Sequence, residues 1–187
     1  MLCMNDNPHT SDMTSSLRVR PDSSEYAVWH AGYVARVPDG DIVTVLRTAG
    51  EELVSALGAI PEDKGGHRYA EGKWTVRTLV GHMIDAERIF SYRALRLARG
   101  DATPLPGFEE NDYASTAGSD ARSIADLAAE MRVVREGTVR MFESLPDAAW
   151  ARTGTVNNAS VSVRAIAYIA AGHALHHLEV LKERYGV

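Results

Sequence analysis

From Ser162 to Arg184 the chain reads SVRAIAYIAAGHALHHLEVLKER. Val163, Ile166, Ala170, His173, Ala174, His177 and Leu181 recur every three or four residues and form one stripe of an α-helix. The helix is expected to start near Ser162 and to run to about Arg184. Two imidazoles interrupt this apolar stripe four residues apart. A polar ring facing a core must be hydrogen-bonded there or bound to something.

The same period recurs upstream. Asp41 to Leu57 carries Ile42, Val45, Leu46, Ala49, Leu53 and Ala56 on one face, with Asp39 or Asp41 as cap. Thr75 to Gly100 carries Leu79, His82, Met83, Ala86, Phe90, Arg93 and Leu97, and Gly100 suits a helix terminus. Ser123 and Asp126 form a capping-box-like pair ahead of Ile124, Leu127, Met131, Val134, Thr138, Met141 and Leu145, with Pro146 closing the run. Glu25–Val37 is a short helix or lid holding Tyr26, Val28, Trp29, Tyr33 and Val34, ended by Pro38. Only Thr153–Val163 has any strand character, and Asn157 and Asn158 within it read as turn residues.

Four long amphipathic helices in one small domain predict an all-α four-helix bundle. Residues 101–122, DATPLPGFEENDYASTAGSDAR, are too long for a simple turn between the second and third helices. A crossover explains the length. It makes those two helices parallel and the topology up-down-down-up.

At 187 residues the chain fits a single domain, expected over 21–187, behind a Ser-, Thr- and Asn-rich tail at 1–20. A formal charge of −5 removes general attraction to nucleic acid. The one cysteine, Cys3, agrees with a reducing compartment. The start lacks the pattern of a signal peptide, and no stretch approaches the roughly 20 apolar residues of a membrane span. A cytoplasmic protein without membrane or nucleic-acid partners is the expectation.

Of the seven histidines, His173 and His177 lie four apart on one helix face, which lets two imidazoles converge on one metal ion. His173 with His176, three apart, is the alternative, but His176 falls toward the edge of the stripe. His82 lies seven residues after Thr75, roughly 10 Å into its helix. His177 and His173 lie seven and eleven residues before Arg184, roughly 10 and 16 Å from that end. Antiparallel packing, which the crossover requires, brings the three to one level. Three neutral imidazoles leave a further position for water or substrate, and zinc or nickel leads the list of metals. There is no HExxH, glycine-rich phosphate loop, Ser-His-Asp set or cysteine cluster.

The blocks GKWTVRTLVGHMIDAERIFSYRALRLARGD (72–101), PLPGFEENDY (104–113) and AIAYIAAGHALHHLEVLKERY (165–185) together resemble the DinB/YfiT-like superfamily. The likeness extends to EYAVWHAGYVARVPDGD (25–41), in the right order. The resemblance implies an up-down-down-up bundle, often a homodimer, with a metal held at His82, His173 and His177. It also implies a metal-dependent hydrolase, or an S-transferase using a low-molecular-weight thiol, acting on a small-molecule substrate. A non-catalytic, dimeric binding or stress-associated bundle is the competing expectation.

Other residues have two readings each. Asp85 is a candidate to orient a metal ligand from behind, against the plainer reading of a solvated helix residue. Arg93 shares the stripe of His82 and either clamps an anionic substrate group or pairs with an acid such as Asp112, the latter preferred. Glu87 and Glu179 read as surface residues. Trp74 and Tyr92 read as core rather than cavity lining. Phe108 and Tyr113 either cover the site or anchor their loop.

Overall fold

A computed structural model describes residues 18–187. The tail expected at 1–20 lies outside the described residues as far as 17. Arg20 is tied to the domain, donating to the carbonyls of Val34 and Val37 at 2.6 Å each.

The elements run α1 (Ala31–Arg36), α2 (Ile42–Ala59), α3 (Val76–Ala98), α4 (Glu110–Thr116), α5 (Ile124–Glu143), α6 (Asp147–Trp150), β1 (Thr153–Val156), β2 (Ala159–Ser162) and α7 (Val163–Val180), which continues into a π-helical turn at Leu181–Tyr185. The four long helices are capped, three at residues the sequence offers as caps and α7 at Ser162. Asp41 accepts from the Thr44 amide at 2.9 Å, Thr75 from Thr78 at 2.9 Å, Ser123 from Asp126 at 3.1 Å and Ser162 from Ala165 at 3.0 Å. Ser123 makes only half of a capping box, because the Asp126 carboxylate turns to Arg122 at 2.6 Å.

Ion pairs between helices give their directions. Arg47 at the start of α2 pairs with Glu143 at the end of α5, so these two are antiparallel. Arg88 of α3 meets Glu130 of α5 at 2.5 Å, near the middle of both, and Thr75 and Thr78 at the start of α3 reach Asp120 just ahead of α5. Those two helices are therefore parallel. His82 near the start of α3 meets His177 near the end of α7, which makes that pair antiparallel. The order is up-down-down-up, with α2 and α3 on one diagonal and α5 and α7 on the other.

The crossover is not bare loop. It holds α4 and a 3₁₀ turn at Ser119–Ala121, and its Ser119 side chain fills the space left by Gly81 of α3. The weak strand signal is a real hairpin: β1 and β2 pair antiparallel, Thr153 opposite Ser162 and Val156 opposite Ala159. Asn157 and Asn158 form its two-residue turn at φ 49° and 61°, as a type I′ connection requires. Leu105 of the crossover is bonded to both Thr155 and Asn157 at 2.9 Å, so the crossover is fastened to the hairpin.

Two apolar clusters fill the bundle. One includes Leu46, Phe90, Phe142 and Ile166; the other includes Leu53, Met83, Leu127 and Leu178. On α7 the first ends at Ala171 and the second begins at Ala174, with His173 between them. On α5 the gap holds buried Arg135 and Thr138, and on α3 it is followed by buried Glu87. A polar layer thus crosses the bundle near its middle. No helix of the described residues is long and apolar enough to cross a membrane.

Helix α1 lies against α7 so closely that a Cβ on Gly172 would overlap the Tyr33 backbone. In a free helix, glycine to alanine gains about 0.5–1 kcal/mol. Here overpacking against backbone costs about 1–3 kcal/mol and decides the sign. Gly172→Ala is expected to lower the melting temperature in a thermal unfolding scan; a rise would mean that α1 is free to move away.

Candidate metal centre

His82 lies on the second turn of α3, and His173 and His177 lie on successive turns of α7. Nε2 of His173 is 3.1 Å from Nε2 of His82 and 3.1 Å from Nε2 of His177. The potential ligand nitrogens of all three lie within 4.8 Å of one another, and all three residues are buried. An ion about 2.0–2.1 Å from each nitrogen spans them with an edge of about 3.3–3.4 Å when tetrahedral and about 2.9 Å when octahedral. The two 3.1 Å separations fall between those edges, and the chemistry of three buried imidazoles suits a transition metal. His176 is half-buried, its ring 5.6 Å from Tyr33, and it stays outside the cluster. The i,i+4 pair is therefore the one that converges.

Aromatic rings hold the imidazoles from outside. Trp74 lies 4.9 Å from the His82 ring, and Phe90 and Tyr33 each lie 5.4 Å from His173. Burial pushes His82 down to about 4 and His177 to about 3, and holds His173 well below the ordinary imidazole value. All three are thus neutral near pH 7, the form in which an imidazole binds metal.

These depressed values have a consequence for the metal-free protein. Unfolded imidazoles titrate near 6.5, so below that pH the unfolded chain binds protons that the folded chain refuses. The stability is complete above about pH 6.5 and falls through the window down to about 4 for His82 and about 3 for His177. In chelator, the urea midpoint is expected to be lower at pH 5 than at pH 7.5; an unchanged midpoint would contradict the buried, neutral assignment.

A cavity of about 350 Å³ opens onto His82 and His173. Its apolar wall comes from Phe90, Val161, Ile166 and Ile169, and its polar groups include His30, Tyr33 and Arg93. Burial keeps the Tyr33 hydroxyl protonated beyond its usual range. His30 accepts from Trp29 Nε1 at 3.2 Å and is pushed down to about 4 by burial and by Arg93. The cavity role of His30 escaped the sequence reading, although its Trp-His neighbourhood in a segment read as a lid was the available signal.

The sequence profile of the DinB superfamily matches residues 46–181, a span that contains all three histidines. The chain belongs to the DinB superfamily. A solved structure described as "YfiT from Bacillus subtilis is a probable metal-dependent hydrolase with an unusual four-helix bundle topology" matches with a TM-score of 0.69 at 16% identity, covering 91% of this chain and 98% of that one. At that identity the likeness shows the shared fold. Among curated proteins, none matches this chain by sequence.

Within this DinB bundle the secondary candidates divide. Asp85 makes no hydrogen bond to the three histidines; its nearest cation is Arg88 at 3.9 Å. Arg93 is not paired with Asp112: its Nη2 donates to the Pro106 carbonyl at 2.8 Å, and its guanidinium lies 5.6 Å over the Phe108 ring. Glu87 is not a surface residue. It is 2% exposed and ion-paired at 3.0 Å with Arg135, itself 4% exposed. Each lies eleven residues after the first residue of its helix, and parallel helices starting level place equal offsets side by side. Trp74 packs on the core as expected, whereas Tyr92 is exposed and bonded by Arg96. Phe108 lines the cavity, and Glu179 faces outward to Arg36 at 3.2 Å.

Proposed function

We propose that this protein is a metal-dependent enzyme in which His82, His173 and His177 hold one divalent transition ion, zinc or nickel. The observation that carries the reading is the pair of 3.1 Å separations among buried imidazole nitrogens at the end of a cavity. An ion there lowers the pKa of a bound water to about 7 for hydrolysis, or holds a small-molecule thiol as thiolate for transfer. The chain's own residues supply the remainder. The apolar wall excludes water from the body of a substrate, and the protonated Tyr33 hydroxyl offers a hydrogen bond beside the cavity. Aromatic packing from Trp74, Phe90 and Tyr33 fixes the imidazole planes.

Elemental mass spectrometry on tag-free protein tests the reading. About one equivalent of metal per chain is expected, absent from His82→Ala and His177→Ala. Ester, amide and thiol-transfer screens of the loaded protein then separate hydrolysis from transfer, since only transfer needs added thiol. No metal after incubation with zinc or nickel would leave a non-catalytic binding protein as the better reading.

A further inference from the structure

The cavity contains a cation that the metal reading does not use. Arg93 lies eleven residues after His82, three helical turns on and on the same face of α3. That is about 16 Å along the axis. The guanidinium is half-buried, and among the described residues no carboxylate lies within ion-pair distance of it. Among the described residues its one side-chain hydrogen bond goes to the Pro106 carbonyl, and Phe108 supports one face. Of five donors, most are left to face the cavity or solvent.

A guanidinium drawn from water without an acid beside it is costly unless an anion arrives with the ligand. The cavity that Arg93 shares with His82 and His173 also has apolar lining from Phe90, Val161, Ile166 and Ile169, beside polar Asn157 and Ser160. Two acids, Glu109 and Glu110, are exposed on the same rim. The Glu109 carboxylate is engaged with the Asn111 amide at 3.2 Å, closing the start of α4. These acids disfavour a dianion such as phosphate, while a planar, singly charged carboxylate matches the guanidinium fork.

We infer that the cavity takes an elongated small molecule with an apolar body, its carboxylate held by Arg93 and its reacting group at the histidines. The second half of this statement rests on the metal reading; the Arg93 subsite does not.

The test is equilibrium binding of 4-phenylbutanoate and its uncharged partner 4-phenylbutanamide, followed by calorimetry and by the fluorescence of Trp29 at the cavity. The full chain is used with zinc and with chelator. The carboxylate is expected to bind at least about tenfold more tightly than the amide, about 1.4 kcal/mol. Arg93→Gln should remove that preference while leaving amide binding and the melting temperature unchanged, and Arg93→Lys should keep part of it. Equal binding of the two probes, or binding of neither, would overturn the subsite. A preference that survives Arg93→Gln but disappears with chelator or in His177→Ala would overturn it too, because the carboxylate would then be a metal ligand. A preference lost in Arg93→Gln, in a protein that takes up no metal, would uphold the subsite and count against the metal reading alone.

Discussion

Glu87→Ala is expected to destabilise the protein by about 3–5 kcal/mol, a large share of a domain's typical stability. The Glu87–Arg135 pair is 3.0 Å long and almost wholly buried. Removing the carboxylate strands a guanidinium of which Nε, Nη1 and Nη2 all lack hydrogen-bond partners among the described residues, the 3.0 Å approach of Nη2 to Glu87 being an ion contact. The pair itself is a poor source of stability, since Glu87 Oε1 is also without a partner. Glu87→Leu combined with Arg135→Met is therefore expected to recover most of the loss or exceed the wild type. Gly50 permits the arrangement, because a Cβ there would run into the Arg135 stem. Chemical denaturation of the two single variants and the double reads the cycle. A melting temperature for Glu87→Ala close to that of the wild type, where a drop on the order of 10 °C is expected, would refute the assignment.

Zinc in large excess over its dissociation constant is expected to stabilise the wild type by about 4 kcal/mol, as mass action gives at a thousandfold excess. His173→Ala should abolish that increment. His173 is the sharpest test because its Nε2 is the shared member of both 3.1 Å contacts. The comparison is made within each variant, with zinc and with chelator, so any change in metal-free stability drops out. Chelator should return the wild type to its metal-free value. An equal zinc shift in both proteins would place the ion elsewhere.

Much of this site was legible because its determinants are periodic. Thr75, Ser123 and one of Asp39 or Asp41 read as caps from their place before each stripe; Thr75, Ser123 and Asp41 do cap, and Ser162 caps the helix expected to start near it. The converging histidines followed from helical spacing and from depth along antiparallel helices. Glu87 departs from its expected surface position for the opposite reason. Its burial depends on Arg135, forty-eight residues away in a parallel neighbour, and no local pattern announces such a partner. Arg93 lacks the expected acid because a loop carbonyl, which has no sequence signature, accepts its bond instead. The hairpin was underread because four-residue strands carry too few side chains to show alternation.

The diagonal placement of α2 and α3 also governs how the chain reaches this state. Successive long helices never form an antiparallel hairpin: α2 waits for α5 and α7, and α3 and α5 lie parallel across a bridging segment. Local zipping of one helical hairpin after another is closed to such a connectivity. The nearest packed pair of long helices, α3 and α5, already joins segments forty-eight residues apart at Glu87 and Arg135, so loop-closure entropy is spent before contacts reward it. The chain is accordingly expected to fold more slowly than its helical content suggests.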